Sequence, residues 1–224
     1  MEVSRMTIHR DLDELQRRGS LRKVRGGASV LRTTQLEYEL RVRLGTMVAE
    51  KQSIAEAAVK LIRDGDVVLI DDSTTALEMV PLLGRFEELT VITNFRAAMD
   101  QLSEFPSIQL IFLGGQYDQR YGSFVGVICE ENIARLWADV VFVSTSSLSG
   151  TTLYHQDQLE VGTKRAMIGQ ANRRVLLLDH SKIGQRALYR LCDIKEFDHM
   201  VVDSGTSADD IRMIEEQGVK VTVA

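Results

Sequence analysis

Five polar clusters are the chemistry-bearing feature of this chain, and each closes an apolar run. They are Asp71-Asp72-Ser73-Thr74-Thr75, Thr93-Asn94, Gly114-Gly115, Ser144-Thr145-Ser146-Ser147 and Asp179-His180-Ser181-Lys182. Carboxylates and carboxamides of this kind hydrogen-bond hydroxyl groups. Small hydroxyl residues that open a helix leave backbone N–H groups and the positive end of the helix dipole for a phosphate. Paired glycines let a ligand approach the backbone. Any one cluster also reads as ordinary helix capping, which uses the same residue types. Five at successive strand ends of one sheet point instead to a pocket for a polar ligand.

Catalysis is the competing use of such a set. Moving a proton beside a carbonyl takes a base that titrates near neutrality. Asp71, Asp72, Asp179, His155 and His180 qualify by type. Strand-end aspartates more often bind hydroxyls or cap helices, however, and single loop histidines are more often solvated. No Gly-x-Gly-x-x-Gly fingerprint or P-loop occurs, so no cofactor is expected and no catalytic residue is assigned. Cys129 and Cys192 have neither metal-ligand nor disulfide spacing, which predicts no metal site and a reducing, cytoplasmic setting. No apolar run approaches the roughly 18 residues of a membrane span, and no signal peptide opens the chain.

The elements that must position these groups follow from periodicity. Residues 46–63 read as a helix with Ile54, Ala58, Leu61 and Ile62 on one face. Strands are predicted at 67–71, 89–93, 109–113, 139–144, 174–179, 199–203 and 220–223, with helices at 75–83, 94–102, 128–137, 157–171 and 208–217. The Gly-rich, aromatic stretch 114–126 reads as an excursion or hairpin. This alternation predicts an α/β fold, a mostly parallel sheet with helices on both faces. Its ligand site lies where strands end and loops begin.

The first thirty-odd residues are of another kind. From Ser4 to Arg18 the pattern is helical, with Ser4 as N-cap, Ile8, Leu12 and Leu15 on one face and Gly19 as the stop. The basic strand Leu21-Arg22-Lys23-Val24-Arg25 follows, closed by Gly26-Gly27 as a hairpin tip. A helix bearing polar groups followed by a basic hairpin is what a winged helix-turn-helix offers to DNA. Charge supports the division: residues 1–32 hold eight basic and four acidic side chains, so with −5 overall the remainder carries −9. A basic head on an acidic body suits one end meeting a polyanion. Domains are expected at 1–32 (partial winged helix-turn-helix) and 46–224 (ligand-binding body), joined by a linker at 33–45.

The stretch from Val3 resembles the second half of the DNA-binding domain of the DeoR family of bacterial repressors. That family carries V-S-x-x-T-I-R-R-D-L, then L-x-x-x-G, then a basic wing ending H-G-G-A. Ser4, Thr7, Ile8, Arg10, Asp11, Leu12, Leu15, Gly19, Gly26, Gly27 and Ala28 match, while His9 replaces an Arg and Arg25 the wing His. Family members carry two helices ahead of this motif. The resemblance implies DNA contacts from Ser4, Arg5, Thr7, His9, Arg10, Arg22, Lys23 and Arg25.

It continues through the body, in Glu50-Lys51-x-x-Ile54-Ala55, Asp71 to Thr75, Thr93-Asn94, Gly114-Gly115, Val125-Gly126 and Asp179 to Lys182. This implies a fold similar to ribose-5-phosphate isomerase and a phosphorylated sugar as effector. Ser73, Thr74 and Thr75 would cradle the phosphate, and Asp72, Thr93, Asn94 and Asp179 would bind sugar hydroxyls. Gly114 and Gly115 would give backbone access, and Lys164 and Lys182 positive charge. Because a single Lys within a helix is usually solvent-facing, Lys182 is the favoured cation. Two departures stand out. Ser73 replaces the family's Gly, crowding the phosphate loop, and Ser144–Leu148 replaces a Gly-rich, often acidic segment, implying altered specificity or a closed site. The expected function is a DNA-binding transcriptional regulator, a repressor of carbohydrate-metabolism genes controlled by a sugar phosphate. Alternatives are a sugar-phosphate isomerase-like enzyme or an effector-binding protein that no longer binds DNA. Expected partners are operator DNA, the effector and further copies of the chain, with no membrane. Tyr117, Tyr121 and Phe124 are either contacts between copies or cover for the sheet.

Overall fold

The computed structural model describes residues 40–224, the strands Leu21–Val24 and Gly27–Val30, and helical positions at Ile8, Arg10 and Leu12. The chain divides into two compact units, Met1–Thr46 and Met47–Ala224.

In the first unit, Ile8 and Arg10 are exposed and Leu12 is half-buried. Ile8, expected on one helix face with Leu12 and Leu15, is 48% exposed. Strands β1 (Leu21–Val24) and β2 (Gly27–Val30) form an antiparallel hairpin in which Leu21 pairs with Val30 and Val24 with Gly27. This antiparallel pair falls where the basic hairpin was expected. A short helix, α1 (Leu40–Gly45), lies within the stretch expected to be a linker. Of the expected DNA-contacting residues, Ser4, Arg5, Thr7, His9 and Arg25 lie outside the described residues, and Arg22 and Lys23 are described by their strand alone.

The second unit opens with α2 (Val48–Val59), which buries Ile54, Ala55, Ala58 and Val59. Then come β3 (Val67–Ile70), α3 (Thr74–Leu77), α4 (Val80–Leu83), β4 (Leu89–Thr93), α5 (Arg96–Leu102) and β5 (Ile108–Phe112). The hairpin β6 (Gln116–Asp118) and β7 (Ser123–Val125) precedes α6 (Val127–Ile133) and β8 (Ala138–Val143). Next are β9 (Ser147–Ser149), β10 (Thr152–His155), α7 (Gln158–Gly169), β11 (Ala171–Leu178) and β12 (Tyr189–Asp193). The chain closes with β13 (His199–Val202), α8 (Ala208–Glu215) and β14 (Lys220–Val223).

Seven strands form one sheet in the order β14-β13-β11-β8-β3-β4-β5, with every neighbouring pair parallel. Successive residues of a strand point to opposite faces, yet Val68, Leu69 and Ile70 are all fully buried, so both faces of β3 are covered. Val140 to Val143 on β8 and Leu176 to Leu178 on β11 repeat this burial. The α/β expectation is therefore what the chain builds.

Two local differences have physical causes. The single helix expected at 75–83 is two short ones, because Pro81 lacks an N–H and its ring would clash with the carbonyl of Leu77. A second, antiparallel sheet of order β12-β10-β9 was not foreseen. Its strands are short and set among Ser, Thr and Gly, where alternation is hard to read.

From β3 the chain steps outward through β4 and β5, then returns to β8 on the other side of β3 and continues outward to β14. The carboxyl ends of β3 and β8 therefore flank the topological switch point, where open α/β sheets form a crevice.

Candidate functional site

Asp71 leaves the end of β3 and is fastened on three sides. Its Oδ1 accepts the Ser73 N–H at 3.0 Å, and its Oδ2 accepts the Ser144 N–H, from the end of β8, at 2.8 Å. The Lys164 ammonium donates to the same Oδ2 at 2.5 Å and to Asp72 Oδ1 at 2.6 Å. Lys164, Asp71 and Asp72 are each buried to within 2% of fully. Burial alone would push Lys164 down, but Asp71, Asp72 and Glu160 hold it above its ordinary value and keep it charged. The expected solvent-facing Lys164 is thus corrected: desolvation of its ammonium is compensated by two carboxylates. A signal for this existed in the sequence. Val161, Lys164 and Ile168 recur at i, i+3 and i+7, which puts the Lys on the apolar stripe of α7.

The chain of contacts runs on across the sheet. Lys182 Nζ donates to Ser144 Oγ at 3.3 Å and lies 3.7 Å from Asp179 Oδ2, at the end of β11. Ser181 Oγ donates to Asp179 Oδ1. One connected set, Lys182–Ser144–Asp71–Lys164–Asp72, therefore links the carboxyl ends of β11, β8 and β3, three neighbouring strands. Lys51, on the α2 helix packed over α3, is another buried lysine, and it was not among the expected effector residues.

Ser73, Thr74 and Thr75, expected to cradle a phosphate, are all buried. Ser73 Oγ accepts the Ala76 N–H at 3.1 Å, an ordinary N-cap of a four-residue helix. Thr75 Oγ1 is buried without a hydrogen-bond partner, as are Asn94 Oδ1 and Ser147 Oγ.

On the β4–β5 side the expected ligand residues have other attachments. Thr93 Oγ1 accepts the Phe95 N–H at 3.1 Å. Asn94 Nδ2 donates to the Phe124 carbonyl at 2.9 Å, and the Phe124 N–H returns to the Asn94 carbonyl at 2.9 Å. A Cβ on Gly115 would lie 2.8 Å from the Val125 carbonyl oxygen and 3.0 Å from Cys129 Cβ, so that glycine admits the hairpin and α6. Gly114 has open space where a Cβ would be.

Sequence reasoning missed several groups around this set. Glu160, one turn before Lys164, is buried and accepts the Ser123 hydroxyl at 2.6 Å, tying α7 to the β6–β7 hairpin. His155 is buried against Tyr121, with ring centroids 5.6 Å apart. Tyr121 is 1% exposed and so is no surface contact; Tyr117 is exposed and Phe124 half-buried. Asp203 accepts from His180 through both its backbone N–H (2.7 Å) and ring Nδ1 (2.6 Å). That hydrogen bond, helped by the Asp203 and Asp179 charges, raises His180 above its ordinary value. Burial pushes the Cys129 and Cys192 thiols up to about 12, leaving them unreactive. Among the described residues no His/Cys/Asp/Glu group could hold a metal ion.

Residues 46–204 match the family described as the DeoR C terminal sensor domain, and residues 1–34 match the DeoR-like helix-turn-helix domain. The chain belongs to the DeoR family. It is 31% identical over 225 residues to the HTH-type transcriptional repressor GlcR of Bacillus subtilis (strain 168), covering 100% of this chain and 86% of that protein. It is 32% identical to the transcriptional repressor AccR of Agrobacterium fabrum, over 92% of this chain and 80% of that one. Among solved structures, ribose 5-phosphate isomerase A from Methanocaldococcus jannaschii aligns with 59% of this chain and 53% of its own at 21% identity and a TM-score of 0.42. This DeoR-family protein is a DNA-binding transcriptional regulator rather than an enzyme, as its curated relatives are. Among its described residues no helix is long and apolar enough to cross a membrane.

Proposed function

We propose that the body of this DeoR-family regulator senses a phosphorylated sugar at the carboxyl ends of β3, β8 and β11, and that binding there releases the helix-turn-helix from operators of carbohydrate-metabolism genes. The observation that carries the reading is the connected set Lys182–Ser144–Asp71–Lys164–Asp72, buried except at the half-buried Lys182, together with the buried and unpartnered Thr75 Oγ1 and Asn94 Oδ1. Carboxylates and amide oxygens accept from sugar hydroxyls, and a phosphate needs a cation to offset its desolvation. Lys164 is committed to two aspartates, so Lys182 serves as that cation, its ammonium held only by a 3.3 Å and a 3.7 Å contact. Ser73, Thr74 and Thr75, after the end of β3, are the residues this reading assigns to the phosphate. GlcR and AccR are named repressors, which supports the repressing direction. Linkage makes the coupling reciprocal: effector weakens DNA binding and DNA weakens effector binding by the same factor.

Thermal denaturation of the full chain with pentose and hexose phosphates, set against the unphosphorylated sugars, tests the effector. At least one phosphate ester is expected to raise the Tm, and Lys182→Ala to erase its advantage over the free sugar. A panel that moves nothing overturns the reading. On the DNA side, Arg25→Ala weakens binding to all sequences and flattens its salt dependence, whereas His9→Ala or Arg10→Ala relaxes sequence preference. Helix-turn-helix heads read paired half-sites, so the regulator acts as an oligomer, with Tyr117 and Phe124 as contacts between copies. Light scattering that finds a monomer at micromolar concentration counts against this.

A further inference from the structure

The turn that carries Asp179 and Lys182 is held from outside the proposed pocket. Asp203, at the end of β13 and 2% exposed, directs both carboxylate oxygens at it. Oδ1 accepts the His180 backbone N–H at 2.7 Å; Oδ2 accepts the His180 ring Nδ1–H at 2.6 Å and the Gly205 N–H at 2.9 Å. Gly205 is required here, because a Cβ would sit 2.4 Å from His180 Nδ1 and 2.8 Å from Asp203 Oδ2. Within the turn, the Lys182 N–H donates to the Asp179 carbonyl at 3.1 Å and the Ile183 N–H to the His180 carbonyl at 3.2 Å. His180 is thus the point where the turn is fastened, with Asp179 and Lys182 on either side of it.

We propose that Asp203, acting through His180, is a positioning residue for the effector site: it fixes the 179–182 turn so that Asp179 and Lys182 are presented together as an acceptor–cation pair. The inference rests on the sugar-phosphate reading for what the pair binds. A carboxylate that accepts three hydrogen bonds from a turn and its neighbour orients that turn in the way an outer-shell partner orients a ligating side chain. Neutral His180 can still donate from Nδ1, so the anchoring requires the donor and not the charge.

The test uses the full-length chain with four proteins: wild type, Asp203→Ala, His180→Ala and His180→Asn. The Asn amide can place a donor near the position of Nδ1. Hydrogen exchange followed by mass spectrometry over residues 179–184, with acetylation of Lys182, reads the turn without any ligand. Asp203→Ala and His180→Ala are expected to raise exchange there about tenfold and leave β3 and β8 unchanged, with His180→Asn within about threefold of wild type. Because His180 is partly exposed, its variants also cover the case in which Asp203→Ala fails to fold. In the second arm, affinity is measured for inorganic phosphate and for the sugar phosphates that shift the wild-type Tm. A loss of about tenfold in Asp203→Ala and His180→Ala, restored in His180→Asn, supports positioning. Unchanged exchange, or loosened exchange at unchanged phosphate affinity, overturns the proposal. A wild-type protein that no phosphate ester stabilises overturns the effector reading instead, and exchange and acetylation then decide on their own whether Asp203 holds Lys182.

Discussion

The carboxyl ends of β3, β8 and β11 and those of β4 and β5 look alike in sequence, but they do different work. On the first side, polar and charged groups from the ends of three strands and from α7 form one connected set, buried around Lys164 and half-buried at Lys182. On the second, Thr93 and Asn94 cap and fasten backbone, Asn94 and Phe124 exchange hydrogen bonds, and Gly115 makes room for Val125 and Cys129. A polar residue after a strand can complete a site or mount the loop that covers it. What separates the two is whether its hydrogen-bonding capacity is spent on neighbouring backbone. Asn94 does both, with Nδ2 given to the hairpin and Oδ1 left without a partner.

Lys164→Met is the hardest blow to the first side. It leaves Asp71 and Asp72 buried without their cation, and removing one partner of a buried ion pair costs about 3–5 kcal/mol. Urea denaturation should show that loss, and adding Asp72→Asn, which removes one of the two uncompensated charges, should recover part of it. An unchanged midpoint for Lys164→Met would mean that water already reaches the cluster. Asn94→Ala attacks the second side and is expected to cost about 1–3 kcal/mol, because the Phe124 carbonyl loses its donor. Its signature is faster amide exchange in β7 with β3 and β8 unaffected. Effector affinity lost while β7 exchange stays slow would move Asn94 to the binding side of the comparison.

The parallel sheet was legible in the sequence because buried strands read as unbroken apolar runs and their connections as helical periods. Lys220–Val223 matches its predicted bounds, and the five polar clusters fall at strand ends as expected. Pairing was not legible. Nothing local tells Asp71 that its neighbours will be Ser144 and Lys164, 73 and 93 residues away. Separations of 23 and 37 residues likewise hid the His180–Asp203 fastening and the Ser123–Glu160 link. The broken helix around Pro81 was readable from chemistry alone. Strands β9, β10 and β12 were not, since polar residues interrupt each of them and none reads as an unbroken apolar run.

The His180–Asp203 pair gives the first side a pH dependence with two limits. Its hydrogen bond to Asp203 raises His180 in the folded protein, so its contribution is complete below the ordinary 6.5 and is lost as pH rises through the higher folded value. Burial alone would raise Asp203, but hydrogen bonds from His180 and Gly205 bring it below 3.8. Its contribution is present above 3.8 and is lost as pH falls through the lower folded value. Both contributions are therefore complete between 3.8 and 6.5. Stability measured from pH 3 to 9 should fall off less steeply on the alkaline side in His180→Asn than in wild type. Identical profiles would show that the pair's charge carries no stability.

The smallest stability change separates capping from binding most sharply. Thr75 is fully buried and its hydroxyl has no partner, so the native protein bears the desolvation of a group that makes no hydrogen bond in return. Thr75→Val swaps that hydroxyl for a methyl of nearly the same shape. Removing an unsatisfied buried polar group without opening a cavity is neutral or stabilising, here by up to about 1 kcal/mol. On the proposed sugar-phosphate reading, that hydroxyl is free to bond the effector. Thr75→Val should therefore unfold at an equal or higher temperature than wild type and lose most of the stabilisation given by a sugar phosphate. If the variant is instead destabilised by a kilocalorie or more, about the worth of one net hydrogen bond, the hydroxyl has a structural partner. Thr75 would then join Thr93 among the residues that hold loops in place.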